Sequence, residues 1–223
     1  MLALIKKHTH LNFDYYKQAT LERRILKHKN TLQLSDSTDY LNYLDSNVDA
    51  IEDLVEELLI NVSTFFRDGE VFDVIEKVLL SLATNKNDLI KIWVTGCSTG
   101  EEAYSYAILI KKIEEVLQKK IKVKIIATDI NDKNLIFAKI GKYTKEQVKN
   151  VPENYLQTYF YKEKSFFYLK KELKSLVTFQ KHNLVYDAPF NSIDLLSCRN
   201  MLIYFDKVLQ EKAFANINFA VKL

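Results

Sequence analysis

The stretch IKIWVTGCSTGEEAYSYA, Ile90 to Ala107, reads as a strand, a glycine turn and the start of a helix. Ile90, Ile92, Trp93 and Val94 form a short apolar run suited to a parallel strand buried on both faces. Gly96 and Gly100 bracket a tight Cys97-Ser98-Thr99 loop, and Glu101 and Glu102 open a helix whose apolar positions are Ala103, Tyr104, Ala107, Ile108 and Ile110. A second strand is expected at Val123 to Ile130 and ends in Asp129. In an α/β sheet an acid at that place meets the ribose hydroxyls of an adenosine-type ligand.

The ligand's charge can be argued from the same residues. A dinucleotide fingerprint lays a pyrophosphate on bare backbone at a helix N-terminus. Here only two of its glycines have counterparts, and the helix opens with two glutamates. That carboxylate pair repels a pyrophosphate at contact distance and suits a ligand with a cationic end. S-adenosylmethionine has a sulfonium, an ammonium and a ribose, and no phosphate. A competing reading makes Ser98-x-x-Glu101 a capping box, but it leaves Asp129 unexplained. The combination favours a methyltransferase and disfavours a dehydrogenase.

Strands at Lys91–Thr95, Val123–Thr128, Val177–His182 and Ile193–Cys198 alternate with helices, the pattern of a parallel sheet. A helix is expected over 134–139, followed by a Gly141-Lys142-Tyr143 turn, and 164–171, KSFFYLKK, reads as an exposed β-ribbon. The first 60 residues read as helices. One is capped near Asn12 or Asp14 and runs through Tyr15, Ala19, Leu21, Ile25 and Leu26. A second carries Tyr40, Leu41, Tyr43 and Leu44, and a third carries Val48, Ile51, Leu54, Val55, Leu58 and Leu59. Residues 1–68 hold no glycine. The expected division is therefore an all-helical domain over 1–72 and an α/β domain over 73–223. The ribbon is inserted at 155–175, and the last strands of such a sheet are absent after a helix over 206–223.

Composition sets the remaining bounds. The chain has 223 residues, 48% hydrophobic and 27% charged, the profile of a soluble globular protein. No apolar run approaches the roughly 20 residues of a membrane span, and MLALIKKH is too short for a signal peptide, so the cytoplasm is the expected compartment. Cys97 and Cys198 form no C-x-x-C pair and the four histidines are scattered, so no metal is expected. Residues 1–30 carry seven Lys or Arg against two acids, a net of +5, while residues 31–61 carry eight acids and no base. That split predicts separate basic and acidic faces. The acidic block argues against nucleic acid as a partner.

Five motifs stand in order: Asn61-x-Ser63-x-Phe65-Phe66-Arg67, Gly96-Cys97-Ser98-Thr99-Gly100-Glu101-Glu102, Ala127-Thr128-Asp129-Ile130, Phe179-x-x-His182-Asn183-Leu184, and Ser197-Cys198-Arg199-Asn200-Met201-Leu202-Ile203-Tyr204-Phe205. Together they resemble the CheR-type chemotaxis receptor methyltransferases across essentially the whole chain. The run Phe13-x-x-Tyr16-Lys17-x-x-Thr20-x-x-Arg23-Arg24-Ile25 looks closest to members fused behind a methylesterase domain. The resemblance implies a helical bundle followed by a Rossmann-like, class I S-adenosylmethionine-dependent domain. It further implies O-methylation of chemoreceptor glutamates in chemotaxis adaptation, with S-adenosylhomocysteine as product and no membrane insertion.

The resemblance also implies roles. Asn61, Ser63 (where threonine is commoner), Arg67, Glu101, Glu102, Asp129, Asn183, Leu184, Cys198, Arg199 and Asn200 would bind the cofactor. Either Glu101 or Glu102 would face its cationic end, Asp129 its ribose, and Asn183 and Leu184 its adenine. Arg67 and Tyr204 would serve the transfer itself. Lys17, Arg23, Arg24 and Lys27 would dock the glutamate-rich receptor helix. The ribbon stands where some members grip a receptor tail peptide, with a shorter loop. Apart from the resemblance, Cys97 and Cys198 close two strands expected to be neighbours, and two readings stand: thiols beside the cofactor whose oxidation blocks binding, or two small buried hydrophobes. The alternative reading is a non-catalytic cofactor-binding signalling module or an inactive fragment. Association with methylesterase or sensor domains stays open.

Overall fold

The computed structural model describes residues 1–9, 11–59, 63–86 and 88–221. It resolves into two compact units, Met1–Asn61 with Asn200–Phe214, and Val62–Arg199 with Ala215–Leu223.

The first unit is helical: α1 (Leu2–Thr9), α2 (Gln18–Thr31), α3 (Ser37–Ser46) and α4 (Val48–Leu58). Its core is Ile5, Leu21, Tyr40, Leu44, Ile51, Leu54, Val55 and Leu58, the apolar stripes of those helices turned to one another, with Phe13 added from the segment between α1 and α2. Asp36 caps α3 by accepting from the Thr38 and Asp39 amides, and Asn47 caps α4 by accepting from Ala50. Helix α2 starts later than its apolar pattern suggests. Asn12 accepts instead from the Asp14 amide in a local turn, and Tyr15 lies outside the helix. The Lys17 amide donates to the Tyr204 carbonyl, and Tyr16 packs edge-on against Phe205. Leu26 is 54% exposed, so the buried stripe of α2 is narrower than its hydropathy. Leu41, Tyr43 and Val48 are likewise exposed.

The basic and acidic blocks meet at Glu57. Glu57 on α4 takes Arg24 at 2.8 Å and Lys27 at 2.9 Å, so basic α2 and acidic α4 partly neutralise each other where they pack.

The second unit contains α5 (Gly69–Asn85), β1 (Ile90–Thr95), α6 (Glu101–Leu117), β2 (Val123–Asp129) and α7 (Asp132–Ile140). These are followed by β3 (Lys142–Thr144), α8 (Glu153–Tyr159), β4 (Phe160–Glu163), β5 (Phe166–Leu169), α9 (Lys171–Lys174), β6 (Val177–Lys181) and β7 (Leu195–Ser197). The last helix, α10 (Lys207–Ala220), runs from residues of the first unit into residues of the second.

Four strands form the expected parallel sheet, in the order β6-β2-β1-β7. Ile90, Ile92, Trp93 and Val94 are wholly buried, as a central parallel strand requires. Beyond β7, Val221 makes an isolated parallel bridge to Ile193.

The expected turn at Gly141-Lys142-Tyr143 is instead a helix C-cap followed by a strand. Gly141 takes φ 68° at the end of α7, and Lys142–Thr144 then alternates outward, inward, outward around buried Tyr143. This β3 joins the ribbon, so β5 lies central in a three-stranded antiparallel sheet, β3-β5-β4. Its inner face is packed through Tyr143, Phe160 and Leu169, and its outer face carries stacked Tyr161 and Tyr168. Among the described residues no helix is long and apolar enough to cross a membrane.

Candidate functional site

The site-bearing loops leave the C-terminal ends of the parallel strands, where ligands of α/β sheets bind. The loop after β1 is fixed to β2: the Cys97 amide donates to the Thr128 carbonyl at 2.9 Å, and the Ser98 amide to Asp129 Oδ2 at 2.8 Å. Gly100 closes the loop at φ 94°, and a Cβ there would stand 2.9 Å from Ala138 Cβ and 3.1 Å from the Phe179 ring. Only glycine meets both the dihedral and the close approach.

Gly100 is also the N-cap of α6 and supplies no side chain, so the capping-box reading is not realised. The Ser98 hydroxyl oxygen is buried without a hydrogen-bond partner.

The two glutamates have different surroundings. Glu101 is fully buried. Its carboxylate accepts from the Thr99 hydroxyl at 2.8 Å and from Gln147 Nε2 at 2.6 Å. Burial pushes its pKa up, against those bonds. The next residue, Glu102, accepts from the Ser197 hydroxyl and lies 3.7 Å from Arg199 Nη1. Burial raises its pKa too, while Ser197 and the charges of Arg199 and Arg67 pull it down. Of the pair, Glu102 is therefore the carboxylate set among site charges, and Glu101 is held by its own scaffold.

Arg199, at the end of β7, ties this cluster to the loop before α5. Nη2 donates to the Arg67 carbonyl at 2.7 Å and to Asp68 at 2.9 Å, and the guanidinium lies over the Phe72 ring. Its Nη1 is buried without a hydrogen bond. The loop is held from two further sides. The Phe65 amide donates to the Gln147 carbonyl, and the Phe66 amide to the Ser105 hydroxyl. Phe65 is wholly buried against Tyr143 and Phe160, in keeping with a packing role. Phe66 and Asp68 adopt φ 50° and 59°, and Ser98 φ 49°. Left-handed non-glycine residues are uncommon, cost of order 1–3 kcal/mol each, and gather at functional loops.

Asp129 closes β2. Besides Ser98, it accepts from the Asn131 amide at 2.9 Å, while Asn131 itself caps α7. Burial raises the Asp129 pKa, opposed by these main-chain donors. The Asp129 carbonyl accepts from the His182 amide, joining the turn after β6. There the Asn183 side-chain oxygen accepts from the Val185 and Tyr186 amides, and Asp187 accepts from the Asn183 amide. Leu184 is buried, its carbonyl taking the Asn216 side-chain amide.

The structure thus gathers Arg67, Glu102, Arg199 and Ser197 in one cluster, and Asp129, Ser98 and the Asn183 turn in another, within the second unit. Ser63 is half-buried at the start of the Arg67 loop. Cys198 is half-buried; strands β1 and β7 pair as expected, but burial pushes both thiols up, Cys97 well above the ordinary range, which leaves little reactive thiolate. Asn200 and Tyr204 belong to the first unit, with the docking candidates Lys17, Arg23, Arg24 and Lys27. Arg23, Leu26, Lys27, Asn30 and Thr31 line an open groove of about 480 Å³, while Arg24 and Lys27 both pair with Glu57. Asn61 lies outside the described residues. The sequence reading missed Ser98, Ser197, Thr99 and Gln147. Ser98 and Thr99 sit inside the glycine motif and Ser197 inside the last motif, but Gln147 follows no recognisable pattern.

Residues 61–222 match the family described as CheR methyltransferase, SAM binding domain, and residues 1–59 match CheR methyltransferase, all-alpha domain. A chemotaxis protein methyltransferase of Borreliella burgdorferi is 30% identical, over 100% of this chain and 82% of its own length. The chemotaxis protein methyltransferase of Escherichia coli is 30% identical, over 88% of this chain and 70% of its own. An uncharacterized 104.1 kDa protein of Rhodobacter capsulatus is 34% identical over 95% of this chain, which spans 23% of that relative's length.

Proposed function

We propose, from the premise that this chain belongs to the CheR methyltransferase family, that it methylates glutamate side chains on chemoreceptor helices, giving γ-methyl esters. The observation that carries the reading is the Glu102–Arg199–Arg67 cluster beside the paired Ser98–Asp129 loop. The donor set fits S-adenosylmethionine. Glu102 offers an anion to a cationic end, Asp129 is a carboxylate at the end of β2 held by the Ser98 and Asn131 amides and by Asn134, and the Ser98 hydroxyl is buried without a hydrogen-bond partner. A pyrophosphate would meet carboxylates instead. When bound, S-adenosylmethionine supplies an electrophilic methyl on a sulfonium.

The protein's own work is placement. A substrate glutamate, with a pKa of about 4.3, is already ionised at neutral pH and needs no general base. Holding it in line is catalysis by proximity. Arg67 is suited to pair with a carboxylate, and Arg199 fixes the Arg67 main chain. Asn61, Ser63, Asn183, Leu184, Cys198 and Asn200 take cofactor contacts, and Tyr204 orients the incoming carboxylate, on the family's motifs. Arg23 and Lys27, with exposed Leu26, form the receptor dock, where a cationic and apolar helix face suits a glutamate-rich helix. The reaction belongs to the cytoplasm, where such receptor helices lie.

Calorimetric titration with S-adenosylmethionine and S-adenosylhomocysteine tests the cofactor assignment. Wild type should bind both, and Glu102→Gln should lose roughly tenfold or more, about 1.4 kcal/mol. A folded wild type that binds neither refutes the proposal.

A further inference from the structure

We infer that Gln147 is a positioning residue: bonded to Glu101 at 2.6 Å through its side chain and to the Phe65 amide through its carbonyl, it sets the Arg67 loop and the start of α6 for the cofactor. The inference rests on the S-adenosylmethionine reading above and extends it to a residue outside every motif.

Glu101 is the one acid among the described residues whose whole residue is buried. A carboxylate so placed is tolerated only when its oxygens are bonded. One donor, Thr99, comes from the glycine loop, and the other, Gln147, from the segment after β3. The Gln147 amide cannot turn over freely, because its oxygen accepts from both the Thr144 amide at 3.0 Å and the Thr144 hydroxyl at 3.1 Å. Its nitrogen is thereby aimed at Glu101.

The main chains are tied as well. Ser105 donates to the Glu101 carbonyl at 2.8 Å and accepts from the Phe66 amide at 3.0 Å. Consecutive amides of the Arg67 loop thus end on Gln147 and on Ser105, each one bond from Glu101. Tyr143 of the small sheet donates to the Thr99 carbonyl, so all three segments meet at one buried carboxylate. The side chain of Glu102 begins one peptide further on. A shift at Glu101 therefore moves both Glu102 and the Arg67 loop.

The inference makes a pH-dependent prediction for Gln147→Glu. Two carboxylates at hydrogen-bond distance cannot both ionise without strong repulsion, so one holds a proton well above its ordinary pKa. The other titratable groups facing Glu101 are the Cys97 thiol and the Tyr143 hydroxyl, both pushed up by burial and uncharged at neutral pH. Below the raised pKa, a single proton shared between the introduced carboxyl and Glu101 replaces the amide bond. Above it, repulsion opens the junction.

The test is titration with S-adenosylhomocysteine at pH 5.5, 7.0 and 8.5 of wild type, Gln147→Glu and the exchanged pair Glu101→Gln/Gln147→Glu, with the apo melting temperature read at each pH. Gln147→Glu should bind within threefold of wild type at pH 5.5 and at least tenfold more weakly at pH 8.5. The exchanged pair, whose amide donates in the opposite direction, should recover most of that loss. Wild-type affinity for Gln147→Glu at every pH, a loss equal at every pH, or an exchanged pair as weak as the single variant overturns the inference. If wild type binds no cofactor, the S-adenosylmethionine reading falls separately. The junction is then judged on the apo protein, where Gln147→Glu must melt progressively below the exchanged pair as pH rises, and parallel melting curves overturn it.

Discussion

Replacing Asp129 by Asn tests the joint between scaffold and site, because the two side chains have the same shape and differ in what they accept. The carboxylate takes the Ser98 amide at 2.8 Å on one oxygen and the Asn131 amide at 2.9 Å on the other. An Asn carboxamide can keep one of these bonds, and its nitrogen then faces the other amide donor to donor. A hydrogen bond to a charged group contributes about 1.5–3 kcal/mol, and a buried donor left unpaired costs about 1–3 kcal/mol. Against this, burial already raises the Asp129 pKa, so removing the charge recovers part of the loss. The net expectation is destabilisation of about 2 kcal/mol, which in a chain of this size lowers the melting temperature by roughly 4–8 °C. Cofactor affinity should fall further than stability implies, by about 10–100-fold, since a ribose diol loses an anionic acceptor. Thermal melting of the apo protein and calorimetric titration of the folded variant at low temperature separate the two effects. A variant that melts within a degree of wild type and binds S-adenosylhomocysteine equally well refutes both the bonding scheme and the assignment.

Gly100→Ala should destabilise by about 2–4 kcal/mol, combining a forced φ of 94° with overpacking against Ala138 and Phe179, as read by urea unfolding. Arg23→Glu should raise the receptor KM without altering stability or cofactor affinity. Arg24→Glu, which faces Glu57 at 2.8 Å in wild type, should lower stability by about 1 kcal/mol as well; equal melting of the two variants contradicts this division. Glu101→Gln should change the slope of stability with pH. Because the folded pKa of Glu101 is raised above its ordinary 4.5, its contribution is fully present below that value and fades as pH rises through the folded pKa. The variant should therefore gain on wild type from about pH 4.5 upward, and a constant difference in denaturation midpoints would show that Glu101 carries no such shift.

Central strands β1 and β2 could be read directly because strands buried on both faces carry apolar runs, while edge strand β6 showed through its Val177-x-Phe179 alternation and β7 through Leu195-Leu196. The glycine loop was legible for the same reason that its substitution is costly, since Gly96 and Gly100 mark left-handed backbone. Strand β3 was hidden because three residues after a helix-ending glycine give too short an alternation, and only pairing with β5 makes it a strand. The start of α2 was misplaced because Tyr15 and Ala19 continue an apolar rhythm, while the Lys17 amide is given to Tyr204, far along the chain. Charge counting saw the basic and acidic blocks but not that Glu57 would hold Arg24 and Lys27. The different surroundings of Glu101 and Glu102 come from Gln147 and Ser197, each far off in sequence, so the two adjacent glutamates look alike until the chain is folded.

The most direct test of the central claim is transfer of tritiated methyl from S-adenosylmethionine to a chemoreceptor cytoplasmic fragment. The product is then treated with base. The account predicts label on the receptor that base releases as methanol, the mark of a carboxyl methyl ester, and that is lost when the receptor's acceptor glutamates are replaced by alanine. Base-stable label, or no transfer by a folded protein that binds S-adenosylmethionine and is supplied with its receptor, would contradict it.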